Sequence, residues 1–434
     1  MLRPHIVILG AGFAGTYIAK NLEHAVRKGE IDITIVNRTN YFLFTPLLHE
    51  VATGALSPSS VAEPLREVFR GTDICIVQGS VQSINKSDRV VKIDADGRSH
   101  SIHYDYLIIA TGAETNYYGI PGADKLTLPL KTLADAALVR NRIIDSFEKA
   151  VLVSDEAERR SFLSFAVVGG GATGVELAAE LAEFTRKIVK RYYGVEHCRS
   201  DDPHRCEPGE PTITLVHAGK ELLEQFAPSL RRAALNRLTK NGVTVMADTA
   251  VTEVTKAGLS ISGGRTVAAS TIIWTAGVKA IIPKFEDISP TVSGGRLSVD
   301  SFFRVLGCER VFAVGDIAAY VDARGFALDT KNVRPLPMLA QVAEAEARHL
   351  AANILASIRG RKLRDFHYRS RGSMVSIGQW FAIGEIYSMN IAGLLTWWLW
   401  RTVYLFKFAS WRKRIRIAAE WSFELISPRD ITKL

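Results

Sequence analysis

The sequence predicts an α/β protein in which one module, a parallel strand–helix–strand unit, occurs twice. Three observations carry this. Two continuous apolar runs suit strands covered on both faces, Ile6-Val7-Ile8-Leu9 and Phe165-Ala166-Val167-Val168, and each ends in a glycine-rich turn. Each turn leads into a stretch of helical composition, Ala14–Leu22 and Val175–Phe184, and a second strand follows, Ile31–Val36 and Thr212–Val216. The 434 residues, 47% apolar and 23% charged, exceed one ordinary domain and supply core material for two or three.

The glycines fall in G-x-G-x-x-G spacing, Gly10, Gly12 and Gly15 in the first unit and Gly169, Gly171 and Gly174 in the second. In this spacing the first glycine permits the tight turn, the second lets backbone approach a pyrophosphate, and the third lets helix pack on strand. A lone match is weak, its other reading being a tight turn with no ligand. Two matches, each between a strand and a helix, predict two Rossmann-like dinucleotide sites. Matching strand endings follow: Tyr106–Ala110 runs into Thr111-Gly112, and Thr271–Thr275 into Ala276-Gly277, where small residues admit a ligand. A third buried strand, Val311–Val314, ends in Gly315-Asp316.

Composition narrows the function classes. Lys+Arg 54 against Asp+Glu 45 leaves +9, so the location of the charge matters more than its sum. Cys75, Cys198, Cys206 and Cys308 are too scattered for a disulfide framework and form no C-x-x-C, which points to a reducing compartment. No targeting signal is expected, because Met1–His5 leads straight into the first strand. No stretch of about twenty uncharged apolar residues occurs; the nearest, Ile391 to Ser410, is broken by Arg401 and Lys407.

The paired fingerprints, Ala110-Thr111-Gly112 and Phe312-Ala313-Val314-Gly315-Asp316 resemble the two-dinucleotide-binding-domain flavoproteins of the disulfide-reductase superfamily. More narrowly, Asn40–Leu48 (NYFLFTPLL), Gly174–Leu181 (GVELAAEL) and Ala340-Gln341-Val342-Ala343 resemble type II NADH dehydrogenases, the non-pumping NADH:quinone oxidoreductases. The resemblance covers nearly the whole chain apart from roughly 187–211. It implies a discontinuous FAD domain, 1–120 and 290–385, an inserted NAD(P)H domain, 121–289, and a C-terminal membrane-surface helical region, 386–434.

By the same resemblance, Gly10, Gly12 and Gly15 cradle the FAD pyrophosphate, and Asn37, Arg38, Val81, Ala110, Thr111, Gly112 and Ala340 line the cofactor. Asp316 meets the ribityl or phosphate region, a role compatible with capping the helix that follows. Thr45-Pro46 and Ala340-Gln341 lie beside the isoalloxazine, where Gln341 orients a quinone carbonyl; its other reading is a surface helix residue. Gly169, Gly171, Thr173, Gly174, His217, Ala276 and Gly277 take NAD(P)H, with Glu176 near the nicotinamide. Glu176 also reads simply as a first-turn carboxylate favoured by the helix dipole. Gln341, Glu176 and Thr45 are thus positioning groups for chemistry that belongs to the flavin. NAD(P)H gives a hydride to the flavin and a quinone takes two electrons and two protons.

Two positions depart from the pattern. An acid ordinarily ends the second strand and binds ribose hydroxyls, but here Asn37 and His217 stand there. Without a carboxylate at 217 nothing repels a 2′-phosphate, and Lys220 would attract one, so NADH and NADPH both remain open, with NADH the family's usual substrate.

The tail decides the acceptor. Five of seven Trp lie after residue 390, with eight Lys/Arg against three Asp/Glu from Ile391 onward. On one helical wheel Arg401, Arg412 and Arg416 cluster, flanked by Lys407 and Arg414, an interfacial pattern suited to an anionic leaflet. This predicts a peripheral enzyme on the cytoplasmic side of the cell inner membrane. The alternative readings of the tail are a core helix or dimer interface, and a homodimer is permitted. Trp-Trp-Leu-Trp is too apolar for nucleic acid. The excursion Lys187–Pro211 carries His197, Cys198, His204 and Cys206, whose spacing fits no standard zinc finger, and no metal is expected. Two rival functions stand: a soluble FAD-dependent ferredoxin or rubredoxin reductase, and an NAD(P)H-responsive flavoprotein redox sensor.

Overall fold

The structure, a computed structural model, describes residues 3–193, 209–320, 335–387, 389–408, 410–426 and 429–433. His197, Cys198, His204 and Cys206 lie outside the described residues. The chain divides into two compact units. The first comprises Met1–Leu43, Glu63–Glu114 and Val278–Arg369; the second comprises Phe44–Ala62, Thr115–Gly277 and Ser370–Leu434.

Unit 1 is built on a five-stranded parallel sheet in the order Val311–Ala313, Tyr106–Ile109, His5–Leu9, Asp32–Asn37, Cys75–Gln78. Its central strand is fully buried from Ile6 to Leu9, which is why that run carries no polar alternation. Each such side chain contributes about 1.5–3 kcal/mol relative to exposure. The helix Phe13–Arg27 covers one face with Ile18, Ala19 and Leu22, and packs along the helix Ala340–Ile358. A second sheet, Lys284–Phe285 beside the meander Ser80–Asn85, Val90–Ala95 and Arg98–His103, completes the unit.

Unit 2 repeats the parallel plan with the order Leu128–Pro129, Thr271–Trp274, Ser164–Val168, Thr212–Val216, Val243–Met246. The fingerprint helix runs Ala172–Tyr192, longer than its first apolar stretch suggests, and so takes in the opening of the excursion at Lys187. The helix Leu133–Ala150 starts at a capping box in which Thr132 and Asp135 exchange side-chain and backbone hydrogen bonds. The chain after Ser370 is an antiparallel meander, Ser373–Ser376, Ala382–Ile386 and Met389–Gly393, followed by helices Leu394–Lys407 and Trp411–Ile426. These C-terminal elements belong to unit 2 by their contacts.

The tail does not form the single helix on which one wheel would place its cations. Two helices replace it, broken after Lys407, and Arg401 does not face outward. Its guanidinium is 6% exposed, lies 4.0 Å from the Trp397 ring centroid and 4.9 Å from that of Trp421, and pairs with Glu424 at 3.1 Å. Trp397, Trp400 and Trp421 are buried with it. Most of the Trp signal therefore reports an aromatic core closed around a cation, a stacking that a desolvated arginine favours. Among the described residues no helix is long and apolar enough to cross a membrane.

Arg429 is the other charge that ties the C-terminus down. It is 5% exposed and donates to Glu424 and to Glu180 of the fingerprint helix. Burial opposes its charge, yet the two carboxylates push its pKa up. Glu424 is buried too, but Arg429 and Arg401 hold it below the ordinary carboxylate range. Removing one partner from such a set leaves uncompensated buried charge. Arg429→Met is expected to lower stability by about 3–5 kcal/mol, read as a fall in the denaturant midpoint. Adding Glu180→Gln and Glu424→Gln to the same chain should recover part of that loss.

Candidate functional site

In unit 1 the first fingerprint is a backbone crossing with no room for side chains. A Cβ on Gly10 would lie 2.3 Å from the Ala110 carbonyl oxygen, and one on Gly15 1.9 Å from the Gly10 oxygen. Gly10 also takes φ +102, which excludes other residues on conformational grounds. Gly12 differs: its φ is −74 and a Cβ there would meet nothing within 4 Å. The missing side chain leaves open space at the N-terminus of the Phe13–Arg27 helix, whose unpaired N–H groups suit an anion. The cradle therefore fits a diphosphate.

Other expected FAD residues gather around it. Asn37 Oδ1 accepts the Ala11 N–H at 2.9 Å, while its amide donates to the Thr39 carbonyl at 2.8 Å. Arg38 is exposed, and Val81 sits half-buried at a bulge in the Ser80–Asn85 strand. Ala110 is buried; Thr111 donates to the Ile281 carbonyl at 2.7 Å, and Gly112 takes φ +70. Asp316 lies within a one-turn 3-10 helix, Gly315–Ile317, whose cap position is Val314, so it is not the helix cap. That turn is held from behind. Glu346, 2% exposed, accepts the Gly315 N–H at 2.6 Å. Burial pushes the Glu346 carboxyl up to about 8, with the Gly315 N–H and Arg296 opposing and Asp316 adding to the rise. Ala340 and Gln341 open the Ala340–Ile358 helix, both half-buried.

Unit 2 reproduces the crossing almost atom for atom. Gly169 has φ +120, and a Cβ on it would lie 2.8 Å from the Ala276 backbone; one on Gly174 would lie 1.9 Å from the Gly169 oxygen. Gly171, φ −76, again faces open space, with Thr173 exposed beside it in the first turn. His217 stands where Asn37 stands in unit 1, its Nδ1 accepting the Gly170 N–H at 3.1 Å. The two neutral residues that replace the expected acids thus do the same local work, each satisfying the loop N–H after the first glycine. The exposed Tyr118 reaches over Gly277, its hydroxyl oxygen 2.1 Å from where a Cβ there would be. Thr45 opens a 3-10 turn, Thr45–Leu47, and is half-buried.

Behind this cradle lies a buried cluster of titratable groups of which sequence reasoning singled out only Glu176. Glu176, Glu180 and Glu183 recur at i, i+4 and i+7 on the Ala172–Tyr192 helix, one face of an otherwise apolar stripe. That stripe was the available signal. Glu176, 6% exposed, accepts the Ser376 N–H at 3.2 Å, and its other oxygen lies 3.7 Å from His49 Nδ1. Burial raises its carboxyl well above the ordinary value, and Glu50 and Glu180 raise it further. Glu50 is pushed up to about 8 by burial, against the pull of Arg401, and accepts the Trp421 indole N–H at 2.7 Å. Burial lowers His49 to about 4. Burial thus favours the neutral form of all three groups. Glu176 is not the first-turn carboxylate that the helix dipole would favour: no acid occupies the first turn of Ala172–Tyr192, and Glu176 is buried further along it.

Comparisons with known proteins agree with these features. The profile of the pyridine nucleotide-disulphide oxidoreductase family matches residues 4–347, and that of the NDH2 C-terminal domain matches residues 370–430. A type II NADH:quinone oxidoreductase of Mycobacterium tuberculosis is 30% identical, the match covering 98% of this chain and 87% of that protein. An internal alternative NAD(P)H-ubiquinone oxidoreductase of Arabidopsis thaliana mitochondria is 29% identical over 100% of this chain and 86% of its own length. In fold, the chain is similar to NDH2 of Plasmodium falciparum solved with NADH, with TM-score 0.88, 24% identity and full coverage of both chains. A sulfide:quinone oxidoreductase of Aquifex aeolicus is also similar in fold, with TM-score 0.71 and 17% identity over 98% of this chain and 94% of that one. Twin glycine cradles followed by an NDH2-type C-terminal region place the chain in the pyridine nucleotide-disulphide oxidoreductase family, among the type II NADH:quinone oxidoreductases.

Proposed function

We propose that unit 1 holds FAD on the Gly10-Gly12-Gly15 cradle, that unit 2 holds NAD(P)H on the Gly169-Gly171-Gly174 cradle, and that the enzyme passes electrons from NADH to a membrane quinone without pumping protons. The observation that carries this is the repeated pair of open helix N-termini at Gly12 and Gly171, each flanked by glycines, Gly10 and Gly15 or Gly169 and Gly174, where backbone leaves no room for a side chain. FAD, when bound, supplies the two-electron carrier between nicotinamide and quinone.

The chain's own residues do the rest. Asp316, fixed by the Gly315–Glu346 hydrogen bond, offers a carboxylate to the hydroxyl-rich part of the cofactor. Asn37, Arg38, Val81, Ala110, Thr111, Gly112 and Ala340 bound the FAD site, and Thr173, His217, Ala276 and Gly277 bound the NAD(P)H site. Thr45 and Gln341 are the neutral polar side chains that the family resemblance assigns to positioning roles. Burial raises the affinity of the Glu176 carboxyl for a proton, and quinone reduction consumes protons. The resemblance assigns 1–120 and 290–385 to the FAD domain and 121–289 to the NAD(P)H domain, whereas the compact units place 44–62, 115–120 and 370–385 in unit 2 and 278–289 in unit 1. The region 386–434 is the membrane-facing part.

The exposed faces of the last two helices support that membrane role. Leu395 is 84% exposed, and Trp398, Phe406, Trp411, Ile415 and Phe423 are exposed as well. The charge contribution is smaller than the sequence suggested. Arg401 is buried, Arg414 donates to the Phe408 carbonyl, and Arg416 pairs with Glu420. Apolar insertion is thus the main attraction, with Arg412 and its neighbours favouring anionic lipid. The cytoplasmic face of an inner membrane is the location this reading assigns.

Two outcomes check the proposal. Under anaerobic stopped flow, NADH should bleach the bound flavin within the turnover time, and a short-chain quinone should restore its absorbance; a flavin that NADH leaves oxidised contradicts the assignment. In flotation with neutral vesicles, Leu395→Glu/Phe406→Glu should reduce bound protein about tenfold or more, whereas raising salt should change it far less. Binding abolished by salt alone would reverse the weighting of the two forces.

A further inference from the structure

The second unit lacks the acid that ordinarily ends its second strand, yet a carboxylate is present close by from another position. The chain leaves the strand Thr212–Val216 and turns back over the glycine loop. Leu223 takes φ +54, a left-handed conformation costly for a branched side chain, and its N–H donates to the Gly170 carbonyl at 2.9 Å. Leu222 is pressed onto the same loop, 2.5 Å from where a Cβ on Gly170 would stand. The next residue is Glu224. Its Oε1 lies 2.5 Å from the point that a Cβ on Gly219 would occupy, and His217 Nε2 lies 2.6 Å from that point. The Glu224 carboxylate and the His217 ring therefore converge over Gly219, at the end of the second strand. His217 Nδ1 is meanwhile engaged by the Gly170 N–H.

We infer that Glu224 is the specificity-determining residue of the NAD(P)H site: its carboxylate takes the place of the missing strand-end acid, accepting from ribose hydroxyls and repelling a 2′-phosphate, so that NADH is preferred over NADPH. The inference rests on the reading that unit 2 binds NAD(P)H and adds which of the two it selects. The nearby cations do not cancel the effect. Arg231 donates to Glu221, to the Glu224 carbonyl and to the Phe226 carbonyl, and so serves the turn rather than the ligand. Lys220 is the one exposed cation in the Val216–Glu224 segment and would attract a 2′-phosphate, which makes Glu224 the group that decides the balance. The strained Leu223 gives the arrangement its direction, since an ordinary φ there would not deliver the following side chain over Gly219.

The test uses the FAD-loaded enzyme and its Glu224→Gln variant, which changes an exposed side chain and leaves the fold intact. Affinities for NAD+ and NADP+ by isothermal titration, and kcat/KM for NADH and NADPH, are measured for both. Wild type is expected to favour NAD+ and NADH, and Glu224→Gln to shrink that preference about tenfold or more, chiefly by improving the 2′-phosphorylated ligand. Lys220→Ala should act in the opposite sense, weakening NADP+ and sparing NAD+. A preference within twofold of wild type in Glu224→Gln, or a wild type that does not discriminate, overturns the inference while leaving the nucleotide site standing. Failure of wild type to bind either nucleotide would overturn the reading beneath it.

Discussion

A helix can begin directly against the end of a parallel strand only where neither carries a side chain at the crossing. That constraint is met twice here, with the third glycine's Cβ position 1.9 Å from the first glycine's carbonyl oxygen in both units. The rest follows from it. Because backbone packs on backbone at Gly10 and Gly15, and again at Gly169 and Gly174, the first turns of two helices are bare at Gly12 and Gly171. Two open helix N-termini result without a single charged side chain, an arrangement suited to anions. The residues at the ends of the second strands, Asn37 and His217, each satisfy one loop N–H, that of Ala11 and that of Gly170.

Unit 2 carries a second organising force. Its fingerprint helix buries Glu176 and Glu180, with Glu183 half-buried beyond them, and the C-terminal segment returns with Arg429 to pair with Glu180. Burying charge is costly, and replacing such a set by apolar residues often does no harm to stability. What the set does supply is two carboxyls, Glu176 and Glu50, whose affinity for a proton burial raises, in a protein whose reaction consumes protons. It also secures the helices that expose Leu395 and Phe406, since Arg401, Glu424 and Arg429 form one connected group.

The sheets and glycine turns were legible in the sequence because their signals are local. A continuous apolar run, a glycine at fixed spacing and a helix start all lie within about fifteen residues. The tail was half legible. Trp density and positive charge were visible, but Arg401 reads as a surface cation until Trp397, Trp421 and Glu424 are seen around it. Glu180 and Arg429 meet across 249 positions, a separation that no periodicity encodes. Glu346 escaped for a related reason: it looks like one more charge on a helix until Gly315 is found donating to it. Asp316 was singled out for the right strand end, though its alternative role as a cap fell to Val314.

The central claim is that each cradle takes one nucleotide, FAD on the first and NAD(P)H on the second. Gly12 and Gly171 allow it to be tested without disturbing the protein, since a side chain at either would meet only open space. The most direct measurement is flavin content together with the NADH KM in Gly12→Val and Gly171→Val. The account predicts a folded but flavin-free Gly12→Val, and a Gly171→Val that keeps its flavin while the NADH KM rises at least tenfold. Flavin retained in Gly12→Val, or lost in Gly171→Val, would contradict it.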